Sequence, residues 1–573
     1  MATLPPHPFT YSNADIMFRS SDNVIYKLHK LVLSLASDFF SDMFELPQPT
    51  LPSDLNLPTK PTDGQEVDGL PVIPISEPSS VLTPLLLLCY PFDSDPDLAS
   101  IAQVRTVLEA AVKYDLRKAV KTTRHRLREL VPFAPLLVYA IACKLGFEDD
   151  ARDAAKEVHR RKFQDQYVKE LEEIPFGAYH RLLYYCAIGG GSAPGRHFSF
   201  CHAATTAGTG ATPKYQIKKK TQRGLGVAPT PSSTSAPSPS AAGSPTATTP
   251  PVNGLSDSSD YRSPETASAD NHGIVFVASD GLRLRSAGTA ILSASPALRV
   301  LATEHSSSTE GIHVPEPAVT MNILIRIYDP FEHVEITNLL DVHDALGAAV
   351  KYQMQKAIGF LRASLKSQQT TIPVTAYGKH LLLYAIACRF GMHDLALTAA
   401  RATLRTNLTH TLVPDVDGVD ISAGYLYRLL DYHRRCRAAI APIFVTRSWL
   451  QDIWLRRVQN APCAPSGGPS PFTFGGPPSP VKWACWYEPY MKATAASASW
   501  PSSTSVTRDD VLYAGLGMDL GVPVAATSAQ PPQGHCPNCM HGKGAVELFQ
   551  FSQHVASTIT TLERQVNLIW PTI

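Results

Sequence analysis

Residues 15–44 decide how the fold is read. Asp15-Ile-Met-Phe-Arg-Ser20 and Val24-Ile-Tyr-Lys-Leu28 read as two short strands joined at Ser21-Asp22-Asn23. A helix follows His29-Lys30. Ser37 then stands as the candidate N-cap of a second helix, on which Phe40, Met43 and Phe44 share one face. A further short strand is expected near Val72–Ile75, completing a small sheet.

Working outward, the same pattern returns later in the chain. Ala110-Ala-Val-Lys-Tyr114 recurs unchanged as Ala348-Ala-Val-Lys-Tyr352, and Tyr139-Ala-Ile-Ala-Cys143 as Tyr384-Ala-Ile-Ala-Cys388. Ile16-Met-Phe18, Ala36-Ser37, Pro91-Phe92 and Arg181-Leu-Leu183 have counterparts in the same order at Ile274-Val-Phe276, Ala294-Ser295, Pro330-Phe331 and Arg428-Leu-Leu430. A register at a fixed order is the mark of a duplicated domain. Between Ser37 and Glu77 the first copy carries 19 additional residues, which we read as a loop insertion over 46–70. In the second copy Asp280-Gly281 is a hairpin signal, followed by the alternating Leu282-Arg-Leu-Arg285. Beyond the strands each copy is helical. Leu108, Ala111, Val112, Leu116, Ala119 and Val120 form a stripe matched by Leu346, Ala349, Val350, Met354, Ala357 and Ile358. Gly146 and Gly391 fall where a helix should stop, and alanine-rich helices follow both.

The chain has 573 residues, with 51 basic side chains against 50 acidic ones, which gives no electrostatic case for a nucleic-acid or membrane-surface protein. Proline is in excess, and 30 of the 48 fall in three stretches, 46–78, 193–270 and 461–532. Residues 191–270 are dominated by Ser, Thr, Ala, Pro and Gly and are expected to be a disordered linker, because such a composition cannot bury enough apolar area to fold. Ten cysteines are too sparse for a disulfide scaffold, no secretory leader precedes the first strand, and no apolar run reaches the length of a membrane span. An intracellular protein of cytoplasm or nucleus is expected. No phosphate loop, nucleophile elbow, paired metal-binding histidines or kinase signature is found, so no catalytic residue is nominated and an enzyme is not expected.

Asp15-Ile-x-Phe18, His29-Lys30, Leu33, Ser37, Phe40 and Met43-Phe44 resemble the opening motif of the BTB/POZ domain. Cys89-Tyr-Pro-Phe92, the two repeated pentamers, and Ile421-Ser-Ala-Gly-Tyr425 with Tyr427-Arg-Leu-Leu430 resemble in particular the BTB proteins of basidiomycete fungi. The resemblance implies an α+β, helix-dominated chain with two BTB/POZ-like domains, each a small sheet with a helical cluster and a helical extension. It also implies homodimers, heterodimers or an intramolecular pseudo-dimer, and Asp15, His29, Lys30, Phe40 and Phe44 become interface candidates. In the family a charged pocket at the dimer interface is lined at the positions of Asp15 and Lys30; the second copy has Gly273 and Gly288 there, and Ala287 in place of His29. A hydrogen-bonded core or interface role for His29, and an ordinary ion pair for Asp15 with Lys30, are the competing readings.

All six tryptophans lie in the last 125 residues, which suggests a small separate core. Cys536-Pro-Asn-Cys539 has the spacing of a zinc knuckle, with Cys463, Cys485, His535 and His541 as available partners. Free buried thiols and redox chemistry are the alternatives to a structural zinc. Leu548, Val555, Ile559, Leu562, Val566 and Ile569 form an apolar helical seam for a partner helix or for the Trp-rich region itself. The expected domains are 10–190, a linker over 191–270, 271–440, and a mainly helical C-terminal module over 441–573. The expected function is a protein-binding adaptor or scaffold. Substrate adaptor of a cullin-type ubiquitin ligase is one alternative, and nuclear transcriptional co-regulator, motivated by the basic run at Lys218-Lys-Lys220, is another.

Overall fold

The computed structural model describes residues 8–45, 66–67, 69–92, 96–190, 198–202, 274–286, 290–304, 311–329, 334–373, 376–405, 407–459, 484–496, 502–516 and 543–571. Helices dominate them. Met1–Ala211 with Phe331–Ile573 form one compact unit, and Thr212–Pro330 form another.

The first unit opens with the hairpin of β1 (Ile16–Arg19) and β2 (Ile25–Leu28), in antiparallel register with Phe18 opposite Tyr26. Asn23 turns the chain at φ 63°, and the Val24 N–H donates to Ser20 Oγ at 3.0 Å. After α1 (Lys30–Ala36), Ser37 starts α2 (Asp38–Glu45). Its hydroxyl accepts from the Phe40 N–H at 3.1 Å and donates to the Tyr114 carbonyl at 2.6 Å, so the cap also ties the helix to the body. β3 (Glu66–Val67) and β4 (Leu70–Pro74) pair antiparallel, and β4 runs parallel to β1, giving the order β2-β1-β4-β3. The expected insertion over 46–70 therefore ends in a strand pair; residues 46–65 and 68 lie outside the described residues.

Three helices cover this sheet: α3 (Ser79–Cys89), α4 (Ile101–Lys113) and α5 (Arg117–Glu129). The core between them holds Phe18, Tyr26, Leu33, Phe40, Leu85, Leu88 and Ala111, and each large apolar side chain removed from water contributes about 1.5–3 kcal/mol. Next come α6 (Pro135–Leu145), ended by Gly146 at φ +74°, α7 (Glu148–Arg161) and α8 (Phe176–Ala187), with a 3-10 turn at Lys169–Glu173. The pentamer 110–114 spans the end of α4, and 139–143 lies within α6.

Residues 198–202, expected within the linker, are docked instead. Phe198, Phe200 and Cys201 are buried, Phe200 packs edge-on against Tyr139 and Tyr185, and the Glu148 carboxylate accepts the backbone N–H groups of Phe200 and Cys201 at 3.0 Å. Arg181 donates to the Phe200 carbonyl. The apolar Phe-Ser-Phe-Cys run is submerged in the average composition of its polar neighbours, which is why composition missed it.

In the second unit β5 (Ile274–Val277) and β6 (Arg283–Ser286) form an antiparallel hairpin around Gly281. They are followed by α9 (Ala290–Ala294), α10 (Pro296–Glu304), β7 (Ile312–His313) and α11 (Ala318–Tyr328). β7 is parallel to β5, in the order β6-β5-β7.

The first unit resumes with α12 (Leu339–Lys351), α13 (Gln355–Thr371), α14 (Tyr377–Arg389), α15 (His393–Thr403) and the long α16 (Ala423–Val445). A C-terminal layer follows, made of α17 (Asp452–Gln459), α18 (Tyr487–Ala496), α19 (Asp509–Gly515) and α20 (Lys543–Gln565). Phe551 of α20 sits within 5.4–6.1 Å, ring centre to ring centre, of Trp449, Trp454, Trp486, Tyr487 and Tyr490. Part of the seam of α20 packs within the same chain, with Leu548, Val555 and Ile559 buried, while Leu562 and Val566 are half-buried and Ile569 is exposed. Among the described residues no helix is long and apolar enough to cross a membrane.

Candidate protein-interaction site

The start of α1 is fixed by side chains on the preceding strands. The exposed Asp15 carboxylate accepts the Lys30 backbone N–H at 2.7 Å, and among the described residues no ion pair joins it to the Lys30 ammonium. His29 is half-buried. Its backbone N–H donates to the Tyr90 hydroxyl at 2.8 Å, its Nε2 lies 3.1 Å from Asn13 Oδ1, and its ring packs 4.8 Å from Tyr11. Burial, with smaller contributions from its neighbours, pushes the Tyr90 phenol up to about 12, so it stays a neutral hydrogen-bonding post. These contacts position α1.

Anchored in this way, α1 faces two directions. Leu33 points into the core with none of its surface exposed, while Leu31 and Leu35 are 69% and 81% exposed. Four residues apart, those two leucines share a face of the helix, and Phe39 stands exposed at the start of α2. Sequence reading passed over them. The signal was there, since a short helix that is apolar nearly all round needs a partner on each side. Phe40, by contrast, is buried within the domain: it is 3% exposed, with its ring stacked on Tyr114 and Phe44 and tilted against Phe18. Phe44 is half-buried beside it. Gly273, Ala287 and Gly288 lie outside the described residues.

A second contact surface lies between the helical extensions. The Phe176 N–H donates to the Ile421 carbonyl at 2.9 Å, and the Ala423 N–H donates to the Ile174 carbonyl at 2.8 Å, a two-bond antiparallel bridge. Across it Arg181 Nη1 donates to both carboxylate oxygens of Asp417 at 2.6 Å, and Arg428 Nη2 donates to Glu172 at 2.5 Å, where Ser422 Oγ also donates at 2.8 Å. Burial alone would raise the Glu172 carboxyl, but the Arg428 and Ser422 hydrogen bonds outweigh it and hold the group below its ordinary value. Two glycines make the approach possible: a Cβ on Gly177 would meet Asp417 Oδ1 at 1.6 Å, and one on Gly424 would meet Glu172 at 2.1 Å. The repeated tyrosines brace both sides, Tyr139 donating to the Ala178 carbonyl at 2.7 Å and Tyr384 to the Tyr425 carbonyl at 3.0 Å. Only Arg181 and Arg428, within the paired Arg-Leu-Leu segments, hinted at this joint in the sequence.

The extension is also fastened to α5, because the fully buried Asp150 of α7 pairs with Arg124 at 2.6 Å and with Arg128. Of the candidate zinc ligands, Cys485 is half-buried just before α18, while Cys463, Cys536 and Cys539, with His535 and His541, lie outside the described residues. Among the described residues no group of three or more His, Cys, Asp or Glu side chains is gathered as a metal ion requires.

No curated protein matches the chain. The family model for the BTB/POZ domain matches residues 9–129. Those limits run from Phe9, buried against Tyr26 and Tyr90, to Glu129, the last residue of α5. Residues 9–129 are therefore a BTB/POZ domain, a module of protein–protein association.

Proposed function

We propose that this chain is a non-enzymatic adaptor or scaffold that brings proteins together, with the BTB/POZ domain pairing through the Leu31–Leu35 face of α1. The observation that carries this reading is the double-sided α1: Leu33 is committed to the core, while Leu31 and Leu35 are held in water by a helix that Asp15 and Ser37 fix at its two ends. Two leucines left exposed on a rigid element favour association, since burying each contributes about 1.5–3 kcal/mol. A second copy of the domain is the occupant this face fits, because a two-fold pairing needs only one self-complementary patch.

We further read residues 271–440 as a second, degenerate BTB-like copy. The repeated pentamers fall on corresponding helices, α4 with α12 and α6 with α14, and the hairpin-plus-parallel-strand arrangement of β1, β2 and β4 recurs in β5, β6 and β7. The extensions would then form an internal pseudo-dimer through α8 and α16. The docked residues 198–202 extend the first domain of this reading beyond residue 190.

Two differently tagged copies, co-expressed and purified on one tag, test the pairing. The second tag should be recovered with the wild type and lost with L31E/L35E. Recovery that is unchanged in the folded double variant would rule out the α1 face.

A further inference from the structure

We propose that the joint between α8 and α16 is exchangeable between chains, so that the first half of one copy docks on the second half of another and two copies trade halves. The partner is a second copy of this chain, and the site is the surface formed by Glu172, Ile174, Phe176 and Arg181 on one side and by Asp417, Ile421, Ala423 and Arg428 on the other.

The joint has the form of an interface between separate molecules. Its contacts are reciprocal, as two-fold interfaces are. Ile174 accepts from Ala423 while Ile421 accepts from Phe176; Ile421 and Ala423 stand 247 positions after Ile174 and Phe176, and the acids Glu172 and Asp417 are 245 apart. Arg181 and Arg428, also 247 apart, each cross to a carboxylate of the opposite side, and Gly177 and Gly424 each make room for the carboxylate that arrives. Each half therefore brings one arginine, one acid, one glycine and one pair of backbone groups. No contact in the joint depends on the two halves being joined covalently.

The connection between the halves does not forbid the exchange. Residues 203–273, 71 residues ahead of the folded second unit, could by themselves span at most ~230 Å at about 3.3 Å per residue. The half of the same chain competes only through its effective concentration, which falls as the connection lengthens. Closed single chains therefore prevail when the protein is dilute, and exchange takes over when copies are concentrated or when the internal joint is broken. The ion pairs set the register, because a half offering the wrong charge leaves a partly buried arginine or carboxylate unpaired.

Charge reversal in trans tests this with full-length chains, all carrying L31E/L35E so that pairing through α1 plays no part. The Arg428–Glu172 pair is the one to reverse, since Arg181 also holds the Phe200 carbonyl. One chain carries R428E and the other E172R. Alone, each sets like charges against one another in its own joint. Together, exchange restores both pairs at once, Glu172 with Arg428 and the reversed pair. We expect co-expressed chains on two tags to co-purify as a one-to-one dimer, at least tenfold above either variant expressed with itself, while a single chain carrying both reversals stays a monomer.

Three results would overturn the proposal. One is a folded, monomeric double reversal with no dimer from the mixed chains. Another is mixed chains that fail to fold where the double reversal folds. If the double reversal itself does not fold, two tagged L31E/L35E chains are unfolded together and refolded at high and low concentration. Exchange requires a co-purifying dimer that grows with concentration, and its absence is the third.

Discussion

Gly177 leaves the space that the Asp417 carboxylate fills: a methyl group at residue 177 would stand 1.6 Å from Asp417 Oδ1, inside any possible contact. The same carboxylate receives Arg181 Nη1 at 2.6 Å through both oxygens. Gly177→Ala must expel it and strand Arg181, whose side chain is 6% exposed. A broken buried ion pair costs about 3–5 kcal/mol. Urea unfolding should show a loss of that order for Gly177→Ala, and a comparable one for Gly424→Ala at Glu172. Little change at either glycine would mean that the carboxylates are not seated as described.

Acid should destabilise the unit that holds this joint. Burial lowers the pKa of His180, against the hydrogen bond at Leu408, and burial with nearby Arg437 pushes His433 down to about 3. Both are neutral in the folded protein, so the stability linked to them is complete above the unfolded value of 6.5 and drains away as pH falls below it. Glu172 is also depressed, and its contribution is present above the ordinary glutamate value and lost as pH falls through the lowered one. Urea midpoints should decline below about pH 6.5 and again below about pH 4.5. Glu172→Gln should be less stable at neutral pH and should show a shallower second decline, since Asp22, Glu77 and Glu173 are also held below their ordinary values.

Asp150 is the fastening between the BTB/POZ domain and its extension. Fully buried between Arg124 and Arg128, it joins α7 to the last helix of the domain. Asp150→Ala leaves two arginines facing an empty site and should cost about 3–5 kcal/mol. Thermal unfolding followed by circular dichroism measures it, and a midpoint equal to that of the wild type would show that the pair is dispensable.

Much of the first domain was legible in the sequence because its signals are local. A turn at Asn23, a serine cap at residue 37 and a glycine stop at residue 146 each act within a few residues, and all three stand in the structure where the chain pattern puts them. The face of Phe40 was legible, but not whether it points inward or outward, because periodicity groups residues without saying which group meets the core. Leu31 and Leu35 were hidden in the same way, inside a run whose buried member, Leu33, lies between them. The joint was harder still. Arg181 and Asp417 are 236 residues apart in sequence, and nothing local to either announces the other. The Phe198–Cys201 segment was lost to averaging over a polar stretch.

The C-terminal layer carries its own reporter, since all six tryptophans lie in the last 125 residues of the sequence and three of them ring Phe551. Phe551→Ala should cost about 3–5 kcal/mol and shift tryptophan emission to longer wavelength as Trp449, Trp454 and Trp486 meet water. Unchanged emission would mean that these rings do not depend on Phe551.

Association through the BTB/POZ domain is the centre of the account, and the mass of the intact chain in solution tests it most directly. Multi-angle light scattering on full-length protein at micromolar concentration should give twice the mass of one chain. L31E/L35E should give the mass of one chain with its helical circular dichroism intact. A wild-type chain that is monomeric across the concentration range, or a folded L31E/L35E variant that is as dimeric as the wild type at the same micromolar concentration, would contradict it.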